Sequence, residues 1–257
     1  MAGRSGYRPP MTIRVGIGGW DFDPWRGNFY PEGLAKTKQL HFASRQLSAI
    51  EINATFYKLQ RPDLFARWRD ETPDGFVFAL KGSRFCTNRK VLADGTDAVT
   101  RFCGQGFTEL GDKLGPLLWQ FADTKKFDPD DIAAFLALLP REKDGVKLRH
   151  AIEARHESFR DPRFAELARA AGVAICYAEG EGKPTFPDQT ADFAYARLMS
   201  ASEEEPLGYP AAELDRIADL ARNWVDGGKR DVFIFFISGA KVRNPAAAQA
   251  LIERLKV

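Results

Sequence analysis

Eight short runs rich in β-branched and aromatic residues punctuate this 257-residue chain, and longer amphipathic segments separate most of them. Strands covered on both faces are almost wholly apolar, whereas the helices that cover them need only one apolar stripe. The alternation therefore predicts repeated βα units around a parallel sheet. The runs are Ile13 to Ile17, Ala49 to Asn53, Phe76 to Leu80, Pro116 to Phe121, Ala151 to Arg155, Val173 to Tyr177, Phe193 to Leu198 and Val232 to Ile237. Helices are expected over 34–45, 62–71, 129–139, 161–171, 211–225 and 245–255. Asp128-Pro129, Asp161-Pro162 and Asn244-Pro245 each put a capping side chain before a proline suited to the first helical position. Two stretches are irregular: Gly104 and Gly106 interrupt a helical pattern over 98–110, and the sixth unit, around 178–192, reads as a long loop. The expectation is an α/β fold, a single (β/α)8 TIM-type barrel over residues 12–257, preceded by a flexible N-terminal arm over 1–11. An open doubly wound sheet is the competitor, but no Gly-x-Gly-x-x-Gly is present to support it.

Composition narrows the function classes. Lysine and arginine number 37 against 35 aspartates and glutamates, so the net charge gives no footprint for a phosphate backbone or an acidic membrane. Cys86, Cys103 and Cys176 fit no CxxC spacing and cannot pair completely, which points to buried thiols in a reducing compartment. No apolar run reaches the ~18 residues that would span a bilayer, and the opening MAGRSGYRPPM lacks the apolar segment of a signal peptide. A cytoplasmic protein without a membrane partner is expected. Walker, serine-hydrolase and zinc-ribbon motifs are absent from the sequence.

Polar residues inside the apolar runs then locate a site. Side chains alternate across a strand, so in AIEINATFYKL Glu51 and Asn53 share one face and Ile50 and Ile52 the other. In a barrel the isoleucines would meet the helices and the polar pair would point inward. AIEARHESF repeats the arrangement with Glu153 and Arg155, and His156 follows. Lys81, Gln120, Glu179 and Arg197 lie at or near the ends of four further runs. Barrel active sites are built at the carboxyl ends of the strands, so these groups converge on one mouth. Each alone has a structural alternative: a carboxylate in an ion-pair network, or His156 as a cap. Trp20, Trp25, Phe29 and Tyr30, in GGWDFDPWRGNFYP, would wall a pocket or else clamp a long loop over the barrel. His41 and His150 fall at a helix and a strand start, away from the mouth.

GGWDFDPWRGNFYP, EINATFY, Lys81, the turn Lys113-Leu114-Gly115-Pro116 with Gln120, and EARHESF together resemble the domain of unknown function 72 family, also called YecE-like. The resemblance runs over nearly all of 13–256 and implies a TIM-type barrel without an assigned activity. It also implies likeness in fold to metal-dependent nucleases of the endonuclease IV type. Such a site needs many His, Asp and Glu ligands, which three scattered histidines do not supply. The chain departs from the family pattern at Thr87-Asn88, Ser158-Phe159, Glu179, Arg197-Leu198-Met199-Ser200 and Phe236-Ile237-Ser238, mostly in its C-terminal half.

The function expected from these readings is an acid/base enzyme, a hydrolase first, acting on a small polar or anionic molecule such as a sugar or organic phosphate. Glu51, Glu153 and His156 are the expected catalytic residues. Trp20, Trp25, Asn53, Tyr57, Lys81, Gln120, Arg155, Glu179 and Arg197 are the expected substrate contacts. A divalent ion on Glu153, Glu179 and His156 is disfavoured by the arginines in the same mouth, and the cofactor is left open. The alternatives are a nucleic-acid binding or processing protein, less favoured, and a non-catalytic ligand-binding barrel. Oligomeric state is not readable from the sequence.

Overall fold

A computed structural model describes residues 13–256 except Glu181 and Ser238; the expected arm over 1–11 lies outside the described residues. All eight runs form strands: β1 Ile13–Gly18, β2 Ala49–Ile52, β3 Val77–Lys81, β4 Leu114–Gln120, β5 His150–Glu153, β6 in two pieces, Ala174–Ile175 and Tyr177–Glu179, β7 Phe193–Leu198 and β8 Asp231–Phe236. Every pairing among them is parallel, and β1 pairs with both β2 and β8. The first piece of β6 pairs with β5 and the second with β7, so the ring closes through β6 with a break at Cys176. This near-closed barrel rules out the doubly wound alternative.

Helices follow most strands, among them Gln39–Gln46, Pro62–Glu71, Pro129–Leu138, Pro162–Ala171, Ala211–Val225 and Asn244–Leu255. Asp128 and Asp161 cap their helices as their sequence context predicts, each accepting backbone N–H bonds from the first turn. Asn244 instead already has helical dihedrals and lies inside its helix. The helical pattern over 98–110 breaks where Gly106 takes φ 86°, leaving a helix over Thr96–Cys103 and a 3-10 segment over Phe107–Lys113. The sequence reading missed a small antiparallel hairpin, Glu142–Lys143 with Val146–Lys147.

Period-two alternation separates two cores. Val15, Ile17, Ile50, Ile52, Phe78 and Leu80 pack outward beneath the helices. Ala49, Ala79, Ala151, Ala174 and Ala178 point inward with Phe193, Tyr195, Phe233 and Phe235. Alanines on one wall make room for aromatic rings from the other, which fills the barrel without a channel. Gly16 belongs to this fit: a Cβ there would stand 1.9 Å from the carbonyl oxygen of Ala49. Because that oxygen is backbone, no side chain can yield. Gly16→Ala is expected to cost at least about 3 kcal/mol or to prevent folding. Urea denaturation checks this, and an unchanged midpoint would contradict the packing described.

Candidate functional site

Inward parity delivers Glu51 from β2, Lys81 from β3, Gln120 from β4, Glu153 from β5 and Arg197 from β7 to the carboxyl end of the barrel, all buried. Arg197 lies between the two acids. Its Nη2 and Nε donate to Glu51 Oε1 and Oε2, each at 3.1 Å, and its Nη1 donates to Glu153 Oε2 at 2.5 Å. Tyr195, two residues earlier on the same face, donates its hydroxyl to Glu51 Oε2 at 2.6 Å. Gln120 Nε2 bridges both oxygens of Glu153 at 3.0 and 2.9 Å, and Arg155 Nε donates to Oε1 at 2.6 Å. At the rim, Asp123 accepts from Arg155 Nη1 at 3.1 Å and from Lys183 Nζ at 2.8 Å. Hydrogen bonds therefore run without a break from Lys183 through Arg197 to Tyr195.

Burial alone would raise the Glu153 carboxyl, but Arg197, Arg155 and the bonds from Gln120 and Arg155 outweigh it and bring the pKa down from 4.5 to about 2. Burial and then the Glu51 charge push the Tyr195 phenol well above its usual value, so it remains a donor. Lys81 behaves differently. Burial first and Arg197 second lower its amine from 10.5 to about 8, against the opposing pull of Glu51 and Glu153. Among the described residues its Nζ makes no hydrogen bond or ion pair, and it sits 4.1 Å from the centroid of the Phe56 ring. That ring is set by the one-turn helix Ala54–Tyr57, which is fastened to β3 by the Thr55 hydroxyl donating to the Lys81 carbonyl at 2.7 Å.

The remaining expected residues divide. Asn53 lies just past β2 against Gly18, where a Cβ would come within 2.7 Å of its Nδ2, so the glycine makes room for the amide at the mouth. His156 Nδ1 accepts the Ser158 backbone N–H at 3.1 Å, which puts the ring proton on Nε2 and makes the residue a cap for the turn Glu157–Arg160. Three expected residues lie away from the charged layer. Glu179 points outward: Ala178 occupies the inner face of β6, and Glu179 accepts from Tyr177 at 2.6 Å and from Arg216, on the surrounding helix, at 2.7 Å. It therefore cannot join Glu153 and His156 around an ion. Trp25 is fully buried, with its indole N–H bonded to the Lys241 carbonyl at 2.9 Å, and clamps the loop after β1 instead of facing a ligand. Trp20 packs edge-on to Trp68 at 5.2 Å on the helix side of the barrel. Tyr57 is 62% exposed and lines an outer groove of about 420 Å³ with Ser83 and Phe85, beside the mouth. Sequence reasoning passed over Tyr195, which the parity of Arg197 would have found, and Phe56, which no sequence signal marks.

A family model described as "Protein of unknown function DUF72" matches residues 14–257. The chain belongs to the DUF72 family. Over 142 residues it is 30% identical to the UPF0759 protein YecE of Escherichia coli K12, a stretch covering 54% of this chain and 48% of that protein. The chain spans about half the length of the curated relatives it matches, 48% of that one and 54% of the UPF0759 protein YunF of Bacillus subtilis 168. The crystal structure of a DUF72 protein from Thermotoga maritima superposes with a TM-score of 0.74 at 23% identity, covering 95% of this chain and 98% of that one. Endonuclease IV from Thermus thermophilus superposes at 0.54 with 12% identity, covering 94% and 99%, which is a likeness of fold alone. Among the described residues of this DUF72 chain, no three or more His, Cys, Asp or Glu side chains gather as a metal site would need.

Arg197 is shared by two buried carboxylates, so removing it leaves Glu51 without its cation and Glu153 with Arg155 alone. Arg197→Met is expected to destabilise the fold by about 3–5 kcal/mol at neutral pH. In the wild type Glu153 has a depressed pKa, and its contribution is complete above pH 4.5 and lost as pH falls toward about 2. In the variant Glu153 keeps only Arg155 as counter-charge, which weakens the pull that holds its carboxyl down, so acidification from neutral to about pH 5 should narrow the gap to wild type. Denaturation at both pH values tests this; a gap of constant size would contradict the pairing.

Proposed function

We propose that the barrel mouth is the active site of an acid/base enzyme for a small, polar, anionic molecule, and that Lys81 is the group exchanging protons with it. The observation that carries this reading is a lysine, 8% exposed, whose Nζ has no hydrogen-bonding partner among the described residues, beside a network in which the other charged groups are paired. Glu51 and Glu153 together balance Arg197 and Arg155, so a protonated Lys81 is surplus positive charge. It attracts an anion when protonated and serves as a base near neutral pH when not.

This reading shifts weight from two-carboxylate hydrolysis toward proton transfer in isomerisation or elimination. A carboxyl held near pKa 2 does not donate a proton at neutral pH, and all three Arg197 nitrogens already donate to carboxylates. Glu51, Glu153, Arg197, Tyr195 and Gln120 become positioning residues. Arg155, partly exposed at the rim, and Asn53 are the proposed contacts for the anion. A nucleic-acid role loses support with Trp25 buried and Trp20 committed to Trp68. The three buried free thiols favour a reducing compartment such as the cytoplasm. No helix among the described residues is long and apolar enough to cross a membrane.

Comparing metabolite extracts incubated with wild type and with Lys81→Met tests the reading. Turnover of the metabolite consumed should fall about 10²- to 10⁴-fold in the variant at unchanged thermal stability. For the wild type, kcat/KM should rise with pH and level off above about 8. Full turnover by Lys81→Met would contradict it.

A further inference from the structure

The amine that serves as a base can also serve as a nucleophile, and its surroundings favour this. A lysine becomes nucleophilic when it is desolvated, sits next to another cation and is left without a carboxylate to hold its proton. Lys81 meets these conditions. It is 8% exposed, Arg197 acts on it through space, and both nearby acids are saturated by other donors. Its position is also fixed. The Thr55 hydroxyl holds its carbonyl, and Gly82, which follows, is pressed so closely on Trp119 that a Cβ there would lie 2.5 Å from the indole. Phe56 covers one side of the amine with its ring face, 4.1 Å from the centroid, and so limits the directions from which a carbonyl carbon can approach.

We infer that Lys81 forms an imine with a small aldehyde or ketone that carries a carboxylate or phosphate, the anion lying toward Arg155 at the rim. The inference rests on reading the mouth as an active site and names the substrate class for it. In the step, the Nζ lone pair attacks the carbonyl carbon and an N–C bond forms. The C–O bond then breaks, both amine hydrogens leave with the oxygen as water, and a C=N bond remains. No oxidant or metal enters the balance. Protonated by solvent, the imine nitrogen takes over the positive charge near Glu51 and Glu153, and draws electrons from the adjacent C–H or C–C bond. Among the described residues Arg155 Nη2 has no partner, while Nε is engaged by Glu153 and Nη1 by Asp123. Cys176, fully buried on the inner face of β6, does not compete as nucleophile, because burial raises its thiol well above its usual value.

Reductive trapping tests this. The full-length protein is incubated separately with pyruvate, dihydroxyacetone phosphate and glycolaldehyde in the presence of cyanoborohydride near pH 7.5, and labelled peptides are identified by mass spectrometry. The expected result is a reduced adduct on Lys81 forming at least about tenfold faster than on the average surface lysine. At that pH the larger free-amine fraction outweighs the lower basicity. Pre-incubation with inorganic phosphate should slow the labelling, and Lys81→Arg, which keeps the charge, should remove it. If none of the three probes labels Lys81 faster than the surface lysines, the inference is overturned. If Lys81→Met abolishes turnover while trapping fails, Lys81 acts as a base only, and the inference falls while the acid/base reading stands.

Discussion

The mouth of the barrel depends on one guanidinium shared between two buried carboxylates from opposite sides of the ring. Glu51 leaves β2 and Glu153 leaves β5, and Arg197 on β7 bonds to both, so three strands far apart in sequence are tied at one level. Ions withdrawn from water cost several kcal/mol each, and a site like this persists only when every lone pair has a donor. Here Tyr195, Gln120 and Arg155 supply the donors that Arg197 does not. The inner alanines matter to the same end, since they let Tyr195 and Phe235 fill the space below without displacing the charged layer.

That arrangement assigns the roles. Carboxylates bonded on each oxygen by fixed donors hold a potential in place at the mouth. The potential is near balance without Lys81, and in the proposed reading its amine, which has no hydrogen-bonding partner among the described residues, is the group whose charge changes during the reaction. The fold favours such a division, because strand ends hold the charged frame while the one-turn helix Ala54–Tyr57 lays an aromatic ring on the Lys81 nitrogen. This barrel shares its overall shape with endonuclease IV from Thermus thermophilus, and its mouth is organised by arginine–carboxylate pairs, with no cluster of three or more His, Cys, Asp or Glu among the described residues.

Strand alternation made most of this legible in the sequence. Two-residue parity put Glu51 and Glu153 on the inner face, nearness to a strand end brought Arg197 to the same mouth, and the three meet there. The same parity, applied to Ala178 and to Tyr195, would have sent Glu179 outward and brought the tyrosine in. Proximity to a strand end was weighed above face, and that accounts for both errors. The tryptophans were harder. An aromatic-rich loop can wall a ligand or bury itself, and only tertiary contacts such as the indole of Trp25 on the Lys241 carbonyl distinguish the two. Nor could spacing reveal that Lys81 lacks a partner, because which acid is claimed by which base is decided by distances of a few tenths of an ångström between strands remote in sequence.

The central claim is that the acids are claimed by arginine and Lys81 is left free. Its most direct measurement is an NMR titration of the Lys81 amine in the unliganded protein, with the resonance assigned by comparison with Lys81→Arg. The account predicts a midpoint at about 8, displaced downward from 10.5. A midpoint at or above the ordinary lysine value would mean that Lys81 is held by a carboxylate after all, and would contradict the division of roles described here.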